Sequence, residues 1–477
     1  MNATICVVEQ VRPKGINLLA FGPIRRFVTW AGFPFVFQML TLAALLSLAV
    51  FGWGQMTPKG VPDKLYAKAN LVNLVVWGLF WPGIVWATVL LGRVWCTICP
   101  LELVSNVFER IGRRFGIAQR AIPAWLRAGW LMVVLYGVLQ MCVAGLHLHR
   151  VPGYTAVFLW GMVAIAAATG LVLRDRAYCR GVCPVAPLLK VYGRGGMIAA
   201  RAAGPSACQS CDGKTCASAT YRSMLDARSC PTLLNPATLD SSEDCLLCGQ
   251  CMKNCEPRNM QLLLRRPFPP EDARVPLASW PVTLFIVIVS GFVFSEVTSE
   301  WAAAKSVFLA PADWATKALG APSLAGWMEG IWTIGVFPLL LWSVIAGLLL
   351  LFKGATSFGE PVRRIALPLA VVIAAGQMAK GLAKFVSWAG FLPVAWNQPD
   401  GVSNSLAMAA KTMKQPASLV SLEVVSVVGV ALLLAGLWFS LRELRYSNGS
   451  VRGIWRVPMF TVTGIFGFVI IGWGFLQ

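Results

Sequence analysis

Cys208-x2-Cys211-x4-Cys216, then Cys230-Pro231, then Cys245-x2-Cys248-x2-Cys251-x3-Cys255: around this stretch the rest of the chain takes its meaning. Three thiolates a few residues apart on a tight loop reach three corners of one iron–sulfur cube, and the fourth corner takes a ligand from elsewhere. Eight of the chain's 14 cysteines fall here. Two zinc ions at four thiols each, or a disulfide scaffold, would draw on the same residues. The spacing favours two 4Fe–4S clusters.

Composition sets the class around that stretch. Of 477 residues 57% are hydrophobic and 13% charged, with 20 tryptophans, far too apolar for a soluble domain. A helix crossing the hydrocarbon core needs about 20 mostly apolar residues. Nine such stretches stand out, near residues 31–52, 71–92, 127–146, 153–173, 278–297, 331–352, 366–390, 419–440 and 456–476. The first starts late and is long enough to span, so no cleavable signal peptide is expected. The expected fold is an all-α polytopic membrane protein of about nine transmembrane helices with an inserted cytoplasmic two-cluster ferredoxin-like domain. Its expected parts are a cytoplasmic N-terminal segment (1–30), a four-helix membrane block of two hairpins (31–173), the ferredoxin-like domain (174–276) and a five-helix membrane block (277–477).

The formal charge of +20 raises the question of nucleic acid, and its distribution answers it. Basic residues gather in alternate loops, as the positive-inside rule requires: Arg110, Arg113, Arg114 and Arg120, then Lys353, Arg363 and Arg364, then Arg442, Arg445, Arg452 and Arg456. The partner implied is a lipid bilayer and no nucleic acid. The N-terminus and the cluster-bearing segment then lie in the cytoplasm and the C-terminus outside. Reducing conditions there keep the thiols free as ligands. The run of Arg12, Lys14, Arg25 and Arg26 reads as an anchor on anionic headgroups, and Cys6 receives no role.

The first four helices form two hairpins that close with a similar phrase. One ends Gly92-Arg93-Val94-Trp95-Cys96-x2-Cys99-Pro100, the other Arg174-x4-Cys179-x3-Cys183-Pro184, and each continues into an interfacial helix. This internal repeat delivers Cys96, Cys99, Cys179 and Cys183 to one membrane face. There they could converge on one metal, on a third iron–sulfur cluster or on dithiol chemistry, or simply pack beneath the ferredoxin segment.

The stretch and the repeat together resemble two kinds of protein. The cysteine run is similar to two-cluster ferredoxins, in which the fourth ligand is exchanged between halves; the resemblance implies one cluster on Cys245, Cys248, Cys251 and Cys230 and another on Cys208, Cys211, Cys216 and Cys255. Residues 75–260 as a whole resemble the polyferredoxin membrane proteins of the NapH and NosR type, with similar segments in CcoG. That resemblance implies a bacterial-type inner membrane and electron passage between the quinone pool and a respiratory or periplasmic reductase system. The pair at Cys96 has two intervening residues where that family usually has three, and the chain adds helices after the clusters.

Two polar features lie outside the cysteines. In the seventh apolar stretch Gln377, Lys380 and Lys384 share one helical face, and Glu423 in the next reaches a similar depth, so a Lys380–Glu423 pair is expected. Charges at that depth line a protein interior or a watery cavity; a structural ion pair and a quinone-headgroup pocket are the two readings, and the second makes Lys380, Lys384 and Glu423 candidate catalytic residues. His147 and His149, the chain's two histidines, sit together at one helix end and cannot bracket a haem; a copper site and plain interfacial polarity both remain open. No Rossmann, Walker or nucleophile-elbow motif occurs in a suitable context. The favoured function is therefore a membrane electron-transfer protein with two 4Fe–4S clusters, a further metal or cluster at the paired cysteines, a quinone and a redox partner protein. A reductase-type maturation factor for a metalloenzyme and a redox-sensing regulator are the alternatives.

Overall fold

The computed structural model describes residues 14–476 apart from 219–220, 222–223, 225, 270–276, 353–354 and 449–452. Cys6, Arg12, Lys353 and Arg452 lie outside the described residues. In chain order the helices that matter here are α1 (Phe35–Phe51), α2 (Leu71–Leu91), α3 (Pro100–Arg114), α4 (Trp130–Gly145), α5 (Pro152–Val172), α6 (Ala186–Gly193), α7 (Trp280–Thr298), α8 (Pro322–Leu351), α9 (Gly359–Ala389), α10 (Leu422–Ser447) and α11 (Gly453–Phe475). Seven helices among the described residues, α2, α5 and α7 to α11, are long and apolar enough to cross a membrane. The two others of the nine expected, α1 and α4, are apolar but only 17 and 16 residues long. At about 1.5 Å per residue they measure roughly 24–26 Å, short of a hydrocarbon core of about 30 Å.

The centre of the helical body is α9, buried along nearly its whole length. Without a hydrophobic drive between helices in lipid, close approach depends on small residues, and α9 supplies Ala366, Ala370, Ala374, Ala375, Gly376, Ala379 and Ala383 on its buried surface. Gly436 of α10 lies so near that a β-carbon there would come within 2.7 Å of the Ala375 side chain. The Ser440 hydroxyl of α10 donates to the Pro368 carbonyl at 2.6 Å. Trp473 of α11 donates its indole N–H to the Val297 carbonyl at the end of α7, at 2.9 Å.

The cluster-bearing segment is not purely loop and helix. It carries a three-stranded antiparallel sheet in the order β1-β3-β2, formed by β1 (Ile16–Asn17), β2 (Ile198–Ala202) and β3 (Met260–Leu264). Two expectations are corrected by it. The fold is mainly helical but not all-α, and residues 14–30 pack against the cluster-bearing segment instead of standing apart from it. Ile16 pairs with Leu264, Val28 packs with Ala200, Met252 and Met260, and Lys253 donates to the carbonyls of Trp30 and Phe33 at 2.7 and 2.6 Å. The expected boundary at residue 174 shifts as well. Apart from Lys190, α6 is buried and packs against α2, α4, α7 and α9, so it is a plug within the helical body, not an interfacial helix. The apolar run Pro187-Leu188-Leu189 explains why it enters.

Candidate functional site

The tightest of the cysteine loops owes its shape to two left-handed residues. Leu247 (φ 54°) and Gly249 (φ 72°) flank Cys248 and turn the chain so that Cys245, Cys248 and Cys251 face inward. A side chain at Gly249 would meet Val28 at 3.0 Å and Phe33 at 3.3 Å, so glycine is required there for both conformation and space. The fourth wall is Cys230. It lines one cavity with Cys245, Cys248 and Cys251 among apolar neighbours including Ala200, Pro231, Leu246 and Leu247. The second group forms around Cys216, whose thiol is pushed up to about 11 by burial and then by Cys255, Cys208 and Cys211. Asn259 ties two of these sulfurs together, its backbone N–H donating to Cys255 Sγ and its Nδ2 to Cys208 Sγ, each at 3.1 Å. The Cys230 N–H donates to the Cys216 carbonyl at 2.8 Å, which fastens one group to the other.

The four remaining thiols also converge. Burial raises Cys99, and Cys96 and Cys183 raise it further; Cys179 is raised by burial, then by Cys99 and, more weakly, Cys183; Cys183 reaches about 11 through burial and Cys96. Each hairpin therefore contributes one pair to a shared space. The repeat also has a register that the Arg174 alignment misses. Arg93 and Arg176 stand three residues before Cys96 and Cys179, each followed by an aromatic residue before the cysteine, Trp95 and Tyr178. Both arginines are buried, at 4% exposure. Arg93 donates to the Glu243 carbonyl at 3.0 Å, and Arg176 pairs with Glu102.

The four-thiol group meets the Cys245 loop at one junction. Thr97, between Cys96 and Cys99, donates its hydroxyl to the carbonyl of Leu246, between Cys245 and Cys248, at 2.7 Å. Chemically the donor sets fit cubanes. Thiolates in an apolar enclosure repel one another and lose solvation, and iron supplies the positive charge that lets them ionise together. Among the described residues no three Cys, His, Asp or Glu side chains lie close enough to clasp a single metal ion. A zinc ion draws its sulfurs to about 2.3 Å from one point, whereas a cube spreads its ligands over its corners.

A family model described as a 4Fe-4S binding domain matches residues 73–118 and 155–199, the two hairpin repeats with their four thiols. The ferredoxin-type protein NapH of Escherichia coli (strain K12) is 27% identical over 181 residues, 34% of this chain and 59% of that protein. The methylamine utilization ferredoxin-type protein MauN of Paracoccus denitrificans (strain Pd 1222) is 24% identical over 221 residues, 43% of this chain and 67% of that protein. These matches make the chain similar to the NapH-like polyferredoxin membrane proteins. It spans less than two thirds of the NapH protein's own length, and no solved structure matches it. The matched domain and the seven long apolar helices together describe a multi-pass membrane protein that carries iron–sulfur clusters.

The polar candidates fall elsewhere. Lys380 does not pair with Glu423; it forms an ion pair with Glu300 and donates to Ser299 Oγ at 2.7 Å, while Glu423 is exposed at the start of α10. Matching depth along two helices says nothing about which faces meet, and the loop after α7 brought a nearer carboxylate. Lys384 lies over the Trp388 ring at 5.1 Å. Gln377 accepts from the Tyr192 hydroxyl of α6 at 2.6 Å, tying α6 to α9. His147 Nδ1 lies 3.0 Å from Asp63, and both ring nitrogens of His149 are engaged, by the Val143 carbonyl at 3.2 Å and by Arg150 at 3.1 Å, which leaves His149 no lone pair for copper.

The Lys380–Glu300 pair is structural, and its size follows from the carboxylate. Lys380 holds Glu300 down to about 2 from 4.5, so its stabilisation is complete above about pH 4.5 and is lost on acidification towards 2. Lys380→Met is expected to destabilise the protein by about 3–5 kcal/mol, the usual cost of removing one partner of a buried pair, read as a lowered thermal midpoint in detergent. An unchanged midpoint would contradict it.

Proposed function

We propose that this protein moves electrons one at a time between membrane quinol and a soluble or periplasmic reductase partner, through the eight ferredoxin cysteines and the four-thiol site at the hairpin ends. The observation that carries the reading is the Thr97–Leu246 hydrogen bond, which joins the loop of one thiol group to the loop of another. When bound, 4Fe–4S clusters supply reversible one-electron redox chemistry. Cys245, Cys248, Cys251 and Cys230 hold one cluster, Cys208, Cys211, Cys216 and Cys255 a second, and Cys96, Cys99, Cys179 and Cys183 a third. A quinol would release two electrons and two protons on oxidation, and clusters held by these thiols would take the electrons one at a time. We place its site beside the four-thiol group. Lys380 is engaged with Glu300 and Ser299, and neither it nor Glu423 adjoins a thiol group. In this reading all nine apolar helices cross the membrane, with α1 and α4 met by local thinning of the bilayer, and the chain divides near residues 31 and 277 with α6 counted in the helical body.

The test is reduction of the anaerobically purified protein by a short-chain quinol. Rapid bleaching of the cluster absorbance is expected, at the same rate in the double variant Lys380→Met/Glu423→Gln. A protein whose clusters respond to dithionite but not to quinol would overturn the reading, and a slowed double variant would return the site to α9 and α10. Sidedness rests on the alternating basic loops. A reporter active only outside the cytoplasm should work when fused after Gln477 and stay silent after Arg266; the reverse pattern inverts the assignment.

A further inference from the structure

Which of the three thiol groups stands nearest to water follows from the residues beside each cysteine in the chain. In the group on Cys208, Cys211, Cys216 and Cys255 every cysteine has an exposed neighbour: Gln209 after Cys208, Ser210 and Asp212 on either side of Cys211, Ala217 after Cys216 and Glu256 after Cys255. None of the residues beside the other eight cysteines is exposed; Asp244, whose side chain is half in water, is held by Lys190 at 2.7 Å. Cys230 lies between Ser229 and Pro231 and Cys251 between Gln250 and Met252, all four buried. Thr97, Pro100, Tyr178 and Val182 enclose the thiols at the hairpin ends in the same way.

The group nearest to water is also the last in line. The four-thiol site meets the Cys245 loop through Thr97 and Leu246, and the Cys230 N–H meets the Cys216 carbonyl, so the group on Cys230, Cys245, Cys248 and Cys251 stands between the other two. Two loops form the outer face of the last group. They abut, since a β-carbon at Gly213 would lie 3.1 Å from Glu256 Oε1, and Thr215 fastens them by donating its hydroxyl to the Asn254 carbonyl at 2.7 Å. Each loop turns sharply, at Lys214 (φ 41°) and Arg258 (φ 50°), in a left-handed conformation uncommon for residues other than glycine. Between these turns lies Gly213, with no side chain to hold a visitor away from Cys211.

Electron exchange between two proteins falls steeply with separation, so a carrier must come close to the centre that it serves. We propose that the centre on Cys208, Cys211, Cys216 and Cys255 is the port at which electrons pass to a water-soluble one-electron carrier, and that residues 209–214 and 256–258 are the surface on which the carrier docks. One electron leaves the reduced centre and the oxidised carrier takes it up, with no proton moved and no bond made or broken. The rim carries two exposed acids, Asp212 and Glu256, and two exposed bases, Lys214 and Arg258, while the nearby Lys253 and Asp226 pair with each other. Four charges on the rim exclude lipid, which is why the carrier is a water-soluble one. Their balance gives little long-range steering, and this suits a small carrier docking briefly on a modest area, as electron-transfer pairs do. The proposal rests on the electron-transfer reading above; its test uses no quinol, so the two fail separately.

The test takes full-length protein reduced by dithionite and freed of excess reductant, and follows its oxidation by two small ions of opposite charge, hexacyanoferrate(III) and tris(phenanthroline)cobalt(III). Glu256→Lys should raise the ratio of the first rate to the second by at least about fivefold at low ionic strength, where the added positive charge attracts one ion and repels the other. Asp240→Lys makes the same change of charge at an exposed residue beside Leu239, in the wall of the Cys245 cavity, and should shift the ratio less than about twofold. An equal or larger shift in the Asp240 variant overturns the proposal, as does no shift in either. A second measurement needs no turnover. Wild-type protein is incubated anaerobically with a water-soluble iron chelator and alkylated as iron is lost. Cys208, Cys211, Cys216 and Cys255 should be labelled first, while Cys230, Cys245, Cys248 and Cys251 stay protected. The reverse order overturns the port, even where Glu256→Lys fails to fold. A protein that behaves as expected in both experiments yet ignores quinol keeps its port and loses the quinol reading; one that dithionite cannot reduce loses the clusters and the port with them.

Discussion

Replacing Cys230 by serine is expected to remove one whole 4Fe–4S cluster, about four irons and four acid-labile sulfides out of roughly twelve of each. Cys230 lies in sequence between the two cysteine runs, nearer the first, yet it lines the cavity of Cys245, Cys248 and Cys251. A hydroxyl is a far poorer ligand for iron than a thiolate, and three remaining thiolates leave one corner open to solvent. The neighbouring cluster should loosen too, because losing the first cluster frees the loop whose backbone N–H at 230 holds the Cys216 carbonyl at 2.8 Å. Cys255→Ser is the matched variant and should remove the other cluster, weakening the sulfur contacts that Asn259 gathers. The measurement is iron and sulfide analysis with the spectrum of the reduced protein, in which two adjacent cubanes give a coupled signal. Full iron in the Cys230 variant would mean that the ligands pair within each run. Stoichiometric zinc without sulfide would remove the clusters altogether.

How much of this was legible beforehand depends on the range of the interaction. That the cysteines gather is legible because ligand spacing is a local signal. The apolar stretches were legible because lipid demands a long run of one composition. What escaped was set by contacts distant in sequence. A strand of two residues at Ile16–Asn17 has no period to detect, and only its pairing with Leu264 makes it a strand. Lys380 met Glu300 instead of Glu423 because a loop, not a helix face, carried the carboxylate. The burial of α6 is written in Pro187-Leu188-Leu189, but eight residues are too few to distinguish a buried helix from an interfacial one by composition. The arginines are a different case. Aligning the repeat on its cysteines places Arg93 and Arg176 in the same position, so the signal was present, and Arg174 drew attention only because the hairpin ends there. Asn259, which donates to two sulfurs, left no trace in the spacing.

The double variant Cys99→Ser/Cys183→Ser, taking one thiol from each hairpin, is expected to lose about four irons and to stop quinol from reducing the remaining clusters. Dithionite should still reduce them. The reason is position. Of the three thiol groups, this one is built from residues directly continuous with membrane helices α2 and α5, and Cys96 packs against the main apolar core with Trp95 and Val185. Trp95 in turn meets the partly exposed Phe80 of α2, with ring centroids 4.6 Å apart. A lipid-soluble donor reaches this group before the ferredoxin loops, which lie beyond Thr97 and Leu246. Loss of the group therefore breaks the path at its membrane end and leaves the soluble end intact. Alkylation gives an independent reading. In protein stripped of metal all four thiols should be labelled, and reconstitution with iron and sulfide should protect Cys96, Cys99, Cys179 and Cys183 together. Protection confined to one hairpin would refute the shared site, and the difference between the x2 and x3 spacings would then be its cause: two loops of unequal reach cannot present their second sulfurs to the same cube.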